Sequence, residues 1–470
     1  MLYRKMIVNF LNTCGNVIFN DTGAKTILIH ADHKRRDSAS SLLIGYYLQS
    51  MGYNTVIGSR ISSRALYHLF KPEAVLMTHP SAFLTPDELK EGSRHCAFIL
   101  MHPESSGMIR EGMIEHMRGG KAEIGLAYAQ HYSQVLTWGP VLKDWIVEAG
   151  LFPEEKVKVV GCARYDFYRD TKSFETQNKT LGGMPSFTGI SLFHNPNMFE
   201  YLDSGRGARG IHYGKDGGFE DFLWVAAVYV RLFFEFLDIW CLELKNPIAF
   251  RPYTLERLDD YIYFSRKYGS HFTIDTKSPF PAWLLQRSAS VFCYSSSIIE
   301  SIISGVPYIT LQEILGEKME YHMPSAELPD VRGEIYRYTY QPGSIGEVVE
   351  MAQKAAKSEL PLRTPYRDSE PLQKLLWNYY GWPQKNPSCW IVAQEIDWLM
   401  QEMHKDNTTP RLKGLTEIAK SFGSMVLATL PAGNWNTFQD YHFLPWHLRE
   451  KAYARKEYER LKKSGEENEG

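Results

Sequence analysis

Tyr294-Ser-Ser-Ser-Ile-Ile-Glu-Ser-Ile-Ile-Ser-Gly-Val-Pro307 reads as a strand end, a serine turn, a short apolar helix and a Gly-x-Pro exit. A strand feeding a helix through so short a turn is a unit of a parallel α/β sheet. The turn leaves free backbone N–H groups at a helix N-terminus, where the helix dipole favours an anion such as phosphate. Ser297 and Glu300 also fit an S-x-x-E capping box, which accounts for Ser297 without any ligand. Ser295 and Ser296 are left over, and serines at the carboxyl edge of such a sheet are candidate ligand contacts.

Working outward, the same alternation recurs on both sides. Thr26–His30, Thr55–Gly58, Ala74–His79, Ala97–Met101, Gln134–Trp138 and Lys156–Val160 read as strands, with helices over Ser38–Gly52, 62–70, 86–94, 106–118 and 140–149. Gly52 suits a left-handed helix end. The polar, Gly- and Pro-containing stretch after Arg169 suits a linker. A second block follows, with strands at Ile190–Phe193, Ile248–Arg251, His271–Ile274, Ser290–Cys293 and Tyr308–Leu311 and helices near 219–244, 256–268, 280–287 and 297–304. The expected boundaries are 1–170 for the first α/β domain, 171–188 for the linker, 189–345 for the second and 346–470 for a helical region with a basic tail. Parallel strands joined by helices imply right-handed crossovers and a doubly wound sheet in each block.

The 470 residues are enough for several domains, and 52 Lys+Arg against 54 Asp+Glu exclude a bulk nucleic-acid-coating role. Six cysteines form no C-x-x-C pair, so spacing indicates neither a zinc ribbon nor a disulfide framework. The N-terminus lacks the order of a signal peptide, and the cytoplasm is the expected compartment. Phe222–Leu244 is apolar but carries Arg231, Glu235 and Asp238, which argues for a packed helix over a membrane span. Trp446–Lys463 holds seven Lys/Arg against three Glu behind the aromatics Trp435, Phe438, Tyr441 and Phe443. It reads either as a solvated helix tail or as a segment resting on the inner face of the cytoplasmic membrane.

Arg251 ends a strand of the second block and Glu256 opens the next helix; the pair is either an anion clamp with its partner or a surface ion pair. In His30-Ala-Asp-His-Lys-Arg-Arg-Asp37, Lys34, Arg35 and Arg36 follow a strand, as an anion site or as a solvated loop. Glu104 and Glu123 sit in loops at the sheet edge and are candidate general bases for an acceptor hydroxyl, or structural carboxylates. The chain has no D-x-D, G-x-x-x-x-G-K-[ST], H-E-x-x-H or G-x-S-x-G. ATPase, zincin and α/β-hydrolase functions lose their main support, as does metal-dependent sugar transfer; no cofactor and no metal is expected.

Several segments together resemble the bacterial surface carbohydrate biosynthesis proteins, GT-B-like glycosyltransferases related more distantly to CDP-glycerol glycerophosphotransferases and Kdo transferases. Lys34-Arg-Arg-Asp37, Met51-Gly-Tyr53 and Val56-Ile-Gly-Ser-Arg60 look like that family's first βαβ unit. Glu123-Ile-Gly-Leu126, Thr137-Trp-Gly139 and Val160-Gly-Cys-Ala-Arg-Tyr-Asp166 look like its acidic loop, strand end and G-x-x-R-x-D signature. Phe193-His-Asn-Pro-Asn197 and Ser295–Pro307 are similar to its Asn-containing loop and donor segment. The family's R-P-H-P-x-E becomes Arg251-Pro-Tyr-Thr-Leu-Glu256, so Tyr253 replaces a histidine that can carry charge.

The resemblance implies two Rossmann-like domains facing a cleft, with C-terminal helices packing back across both. It implies glycosyl transfer from a nucleotide-activated sugar to a hydroxyl of a surface polysaccharide or lipid-linked acceptor. Arg251 would hold phosphate, Ser295, Ser296 and Ser297 the same anion, and Glu300 the ribose, with Tyr253, Glu256 and Asn197 completing the donor site. The first domain would bind acceptor, with Glu123 and then Glu104 as base and Lys34, Arg35, Arg36 and Arg164 as anion or acceptor contacts. Same-fold alternatives are a glycerophosphotransferase or a nucleotide-sugar epimerase; a third is a catalytically silent partner in polysaccharide assembly.

Overall fold

In a computed structural model of the chain, the described residues are 17–18, 24–32, 34–59, 62–80, 83–101, 110, 114, 128–169, 184–188, 231–251, 261–275, 278–292, 295, 297–311, 313–314, 331–357, 359–360, 369–402 and 448–469. The chain divides into two compact units, Met1–Phe167 with Lys374–Gly470 and Tyr168–Gln373.

The first unit opens with β1 (Val17–Ile18), β2 (Thr26–Ala31), α1 (Lys34–Ser50), β3 (Asn54–Ser59), α2 (Ser62–Phe70) and β4 (Ala74–Met77). It continues through α3 (Pro86–Gly92), β5 (Ala97–Met101), β6 (Gln134–Thr137), α4 (Pro140–Glu148) and β7 (Val157–Val159). The sheet order is β1-β3-β2-β4-β5-β6-β7; β1 is an antiparallel edge and all other neighbours are parallel. β2, β3 and β4 are buried along their whole length, as expected of parallel strands covered on both faces. α1 ends as expected, with Gly52 at φ 95° and the Tyr53 N–H on Leu48 O at 3.0 Å.

The second unit holds β8 (Ser186–Thr188), β9 (Ile248–Arg251), α5 (Ile262–Tyr268), β10 (Phe272–Ile274), α6 (Phe280–Leu284), β11 (Ser290–Phe292), α7 (Ser297–Ser304), β12 (Tyr308–Thr310), α8 (Val331–Tyr336) and α9 (Ile345–Ala356). Its sheet is parallel throughout, in the order β10-β9-β8-β11-β12. The opening strand differs from the sequence expectation. Ser186–Thr188, assigned above to the linker, is the middle strand, and Ile190–Phe193 lies outside the described residues. The cause is local: Ser186 is fully buried, its N–H and hydroxyl both donating to Ala289 O at 2.8 and 3.1 Å, so a polar residue that reads as linker serves as core. The expected helix at 106–118 lies outside the described residues except for Arg110 and Ile114, and the one at 219–244 is described only from 231, where it ends in a π-helical turn at Asp238–Glu243.

The region after 345 is not one body. α9 belongs to the second unit, the boundary falls inside α10 (Glu370–Tyr380), and α11 (Ser388–Glu402) and α12 (Leu448–Glu469) return to the first. There Cys389, Val392, Ala393 and Ile396 of α11 and Ala454 and Leu461 of α12 share one core with Leu42–Leu48 of α1 and with Ile27, Ile29 and Ile99 of the sheet. α1 is thus wrapped on nearly all sides, which is why small and apolar residues run right round it.

Two features dock the returning segment. Gly381, at φ 60°, meets the β6 and β7 ends so closely that a Cβ there would sit 2.1 Å from Trp138 O and 2.8 Å from Gly161 Cα. Asp166, fully buried, accepts the N–H of Ser388 on one oxygen (2.8 Å) and of Cys389 on the other (2.7 Å). A carboxylate on the first N–H groups of a helix satisfies orphan donors and complements the helix dipole. The aspartate of the G-x-x-R-x-D signature is therefore a helix cap.

α12 holds most of the basic tail. Its Ala454, Glu457 and Leu461 face the protein, and Tyr458 packs on Tyr46 and Tyr47 at 5.9 and 5.0 Å. The exposed positions Arg455, Lys456, Glu459, Lys462 and Lys463 are charged, as on a helix face turned to water. Among the described residues no helix is long and apolar enough to cross a membrane.

Asp166→Ala leaves the Ser388 and Cys389 N–H groups buried without an acceptor and should lower stability by about 2 kcal/mol, with Asp166→Asn costing less. Urea unfolding followed by tryptophan fluorescence checks this as a drop in the midpoint.

Candidate functional site

In the second sheet the chain runs β8, β9, β10 in one direction and then crosses back to β11 and β12, so the order reverses between β8 and β11. Open α/β sheets bind ligands at the carboxyl ends of the strands where the order reverses in this way. The serine turn follows β11 directly and lies at that reversal.

Ser295 organises the turn. Its Oγ accepts the Ser297 N–H at 3.2 Å and the Ser297 hydroxyl at 2.9 Å, and its carbonyl accepts the Ile298 N–H at 3.1 Å. Ser297 is thus the first residue of α7, with its N–H satisfied by Ser295. Ile298, Ile299, Ile302 and Ile303 are all buried in it. Glu300 is buried in the same helix, and Ser295 is half-buried at the edge. Ser296 lies outside the described residues.

Arg251 ends β9, next to β8 in the same sheet, and is only 5% exposed, so it is not a surface ion pair. Its Nη1 donates to Ser278 O at 2.7 Å, and the guanidinium lies 5.5 Å from the Phe280 ring and 5.7 Å from the Trp283 ring. Asp275 grips the same turn, accepting the Ser278 N–H at 2.9 Å and hydroxyl at 2.6 Å, while its own N–H donates to Phe250 O at 2.9 Å. One N–H of Arg251 is thus spent on holding the 275–280 turn at the carboxyl edge. Arg287 also lies 5.3 Å from the Trp283 ring; burial lowers its pKa and Asp275 acts against that.

In the first unit Arg36 donates to Asp37 through Nε (2.6 Å) and Nη2 (2.9 Å), with Asp32 at 3.6 Å. Two carboxylates match this guanidinium, so it is not a bare cation awaiting an anion. Lys34 and Arg35 open α1, and their side chains lie outside the described residues. Arg164 lies 5.2 Å from the Trp138 ring beside the docked C-terminal segment. Asn197, Tyr253, Glu256, Glu104 and Glu123 all lie outside the described residues. Among the described residues no three His, Cys, Asp or Glu side chains converge as a metal site.

Asp275, Ser278, Phe280 and Trp283 were not singled out from the sequence. Asp275 directly follows a strand ending one place along the sheet from Arg251, which was the available signal.

No protein-family model matches the chain, and no curated protein matches it. Similar solved structures include the UDP-GlcNAc 2-epimerase of Methanocaldococcus jannaschii in complex with UDP-GlcNAc and UDP, at 12% identity over 80% of this chain and 99% of that one, with a TM-score of 0.42. S. aureus MnaA with UDP is similar at 8% identity over 82% and 99%, TM-score 0.44. A single-residue variant of the wall teichoic acid polymerase TagF is similar at 11% identity over 85% and 93%, TM-score 0.47. Epimerase and teichoic acid polymerase are both kinds of enzyme that the sequence raises as same-fold alternatives; likeness this distant carries no argument about activity.

Arg251→Ala should free the 275–280 turn and cost about 2 kcal/mol, the range for a buried hydrogen bond from a charged donor. Faster amide exchange in residues 275–285 than in the wild-type protein checks it; unchanged exchange there contradicts the strut.

Proposed function

We propose that this protein is a transferase that moves a glycosyl group from a nucleotide-activated sugar to a hydroxyl of a surface polysaccharide or lipid-linked acceptor, without a metal ion. The observation that carries this is the serine turn and α7 N-terminus at the order reversal of the second sheet. Donor N–H groups, a helix dipole and a hydroxyl edge suit a diphosphate. The Arg251-braced turn lies at the ends of β9 and β10, on the other side of β8 in the same sheet, with the Phe280 ring beside the guanidinium.

In this mechanism the departing nucleotide diphosphate gains negative charge as the glycosidic bond breaks, and the α7 N-terminus stabilises that charge most in the transition state. A carboxylate at hydrogen-bond distance would take the acceptor hydroxyl proton, with Glu123 and Glu104 as the sequence candidates. The site of action is the cytoplasm, at the membrane's inner face when the acceptor is lipid-linked. Identifying the product separates transfer to an acceptor from epimerisation, which needs none.

Ser295→Asp tests the anion site without removing the acceptor of the Ser297 N–H, because a carboxylate oxygen accepts there as the serine hydroxyl does and adds a negative charge where phosphate would lie. Wild-type protein should be stabilised by one family of nucleotides among CMP, CDP, UDP, GDP and their sugar conjugates, by about 2.7 kcal/mol at 100 times the dissociation constant. Ser295→Asp should melt near the wild-type temperature and lose that shift. A shift that survives the substitution, or no shift with any nucleotide, contradicts this function.

A further inference from the structure

Every polar group of Ser278 has a partner. Its N–H donates to one Asp275 oxygen at 2.9 Å and its hydroxyl to the other at 2.6 Å, while its carbonyl accepts from Arg251 at 2.7 Å. Asp275 is itself tied to β9, its N–H donating to Phe250 O at 2.9 Å. A turn gripped by two charged side chains from two neighbouring strands is held more firmly than a change of chain direction needs. The grip therefore serves what the turn carries.

It carries Phe280. Pro279 and Pro281 flank that residue and restrict the backbone on both sides, and Pro281 falls in the first turn of α6, where its missing N–H leaves no bond unmade. The Phe280 ring stacks on Trp283, with centroids 5.8 Å apart and planes at 27°, and Trp283 is only 1% exposed. Phe280 is thus backed by a buried indole and is itself half-buried. The turn lies at the carboxyl ends of β9 and β10, whereas the serine turn follows β11. In the order β10-β9-β8-β11, two or three strand spacings of about 4.8 Å separate them. The ribose and base of a nucleotide reach about that far beyond its phosphates.

A flat aromatic ring held in one orientation suits a nucleobase, because every base has a face that stacks. We propose that Asp275 is a positioning residue for the nucleotide donor: through its clamp on Ser278 it fixes Phe280 where the nucleoside stacks, so that the ring is ordered before the ligand arrives. Preorganisation of this kind removes an ordering cost from binding. The role rests on the nucleotide-binding function above and adds to it a residue that need not touch the ligand.

Calorimetric titration of the full chain with CDP, UDP and GDP in turn tests this through a double-mutant cycle. For the nucleotide that binds, Asp275→Ala should raise the dissociation constant about ten-fold, the worth of one hydrogen bond to a charged group, and Phe280→Ala should raise it at least as much. The double variant should bind no more weakly than Phe280→Ala alone, because without the ring the turn has nothing to position; a merely structural aspartate would weaken binding equally in both backgrounds. If Asp275→Ala does not fold by circular dichroism, Asp275→Asn, which keeps an acceptor for one of the two bonds, should give a smaller loss that also vanishes in the Phe280→Ala background. Unchanged affinity in the folded Asp275 variant, or losses that add, overturns the positioning role and leaves nucleotide binding standing. A wild-type chain that binds none of the three contradicts the transferase function and this role with it.

Discussion

The Asp166 carboxylate, with one oxygen on the Ser388 N–H and the other on the Cys389 N–H, is the joint on which the first unit depends. It joins the end of the first sheet to a helix more than two hundred residues later in the chain. Without that helix, Ile27, Ile29 and Ile99 would lack the cover that Val392, Ala393 and Ile396 share with α1. A carboxyl group so deeply buried is tolerable because both its oxygens accept hydrogen bonds at a helix N-terminus. The close approach at Gly381 and Gly161 brings the chain into place just ahead of this cap.

Each unit also starts its parallel sheet in the middle and builds outward in both directions. That order leaves one crevice per sheet at the carboxyl edge, and the two crevices differ in chemistry. The second sheet offers a serine turn and a helix N-terminus, with an arginine committed to bracing the adjacent turn. The first offers paired carboxylates, a neutralised arginine and hydroxyls.

Periodicity and residue type made much of this legible. Ala97–Met101 and Ile248–Arg251 match their strands end to end, and 297–304 matches α7, because each is a short apolar run bounded by turn residues. Ser186–Thr188 escaped, since three residues paired on both sides have no period to detect. Arg251 shows the limit of reasoning from residue type. Its position at a strand end was correct, but residue type gave no sign that its guanidinium would donate to Ser278 O from a buried place. Asp166 was legible as part of a signature, whereas its partners, far along the chain, had no local signal.

Hydrogen–deuterium exchange on the full chain, with and without the nucleotide that stabilises it, tests the central claim most directly. The account predicts protection concentrated in residues 293–304, where the serine turn meets α7, with the first sheet's strands unchanged. Protection confined to any other part of the chain, with 293–304 exchanging as before, would contradict it.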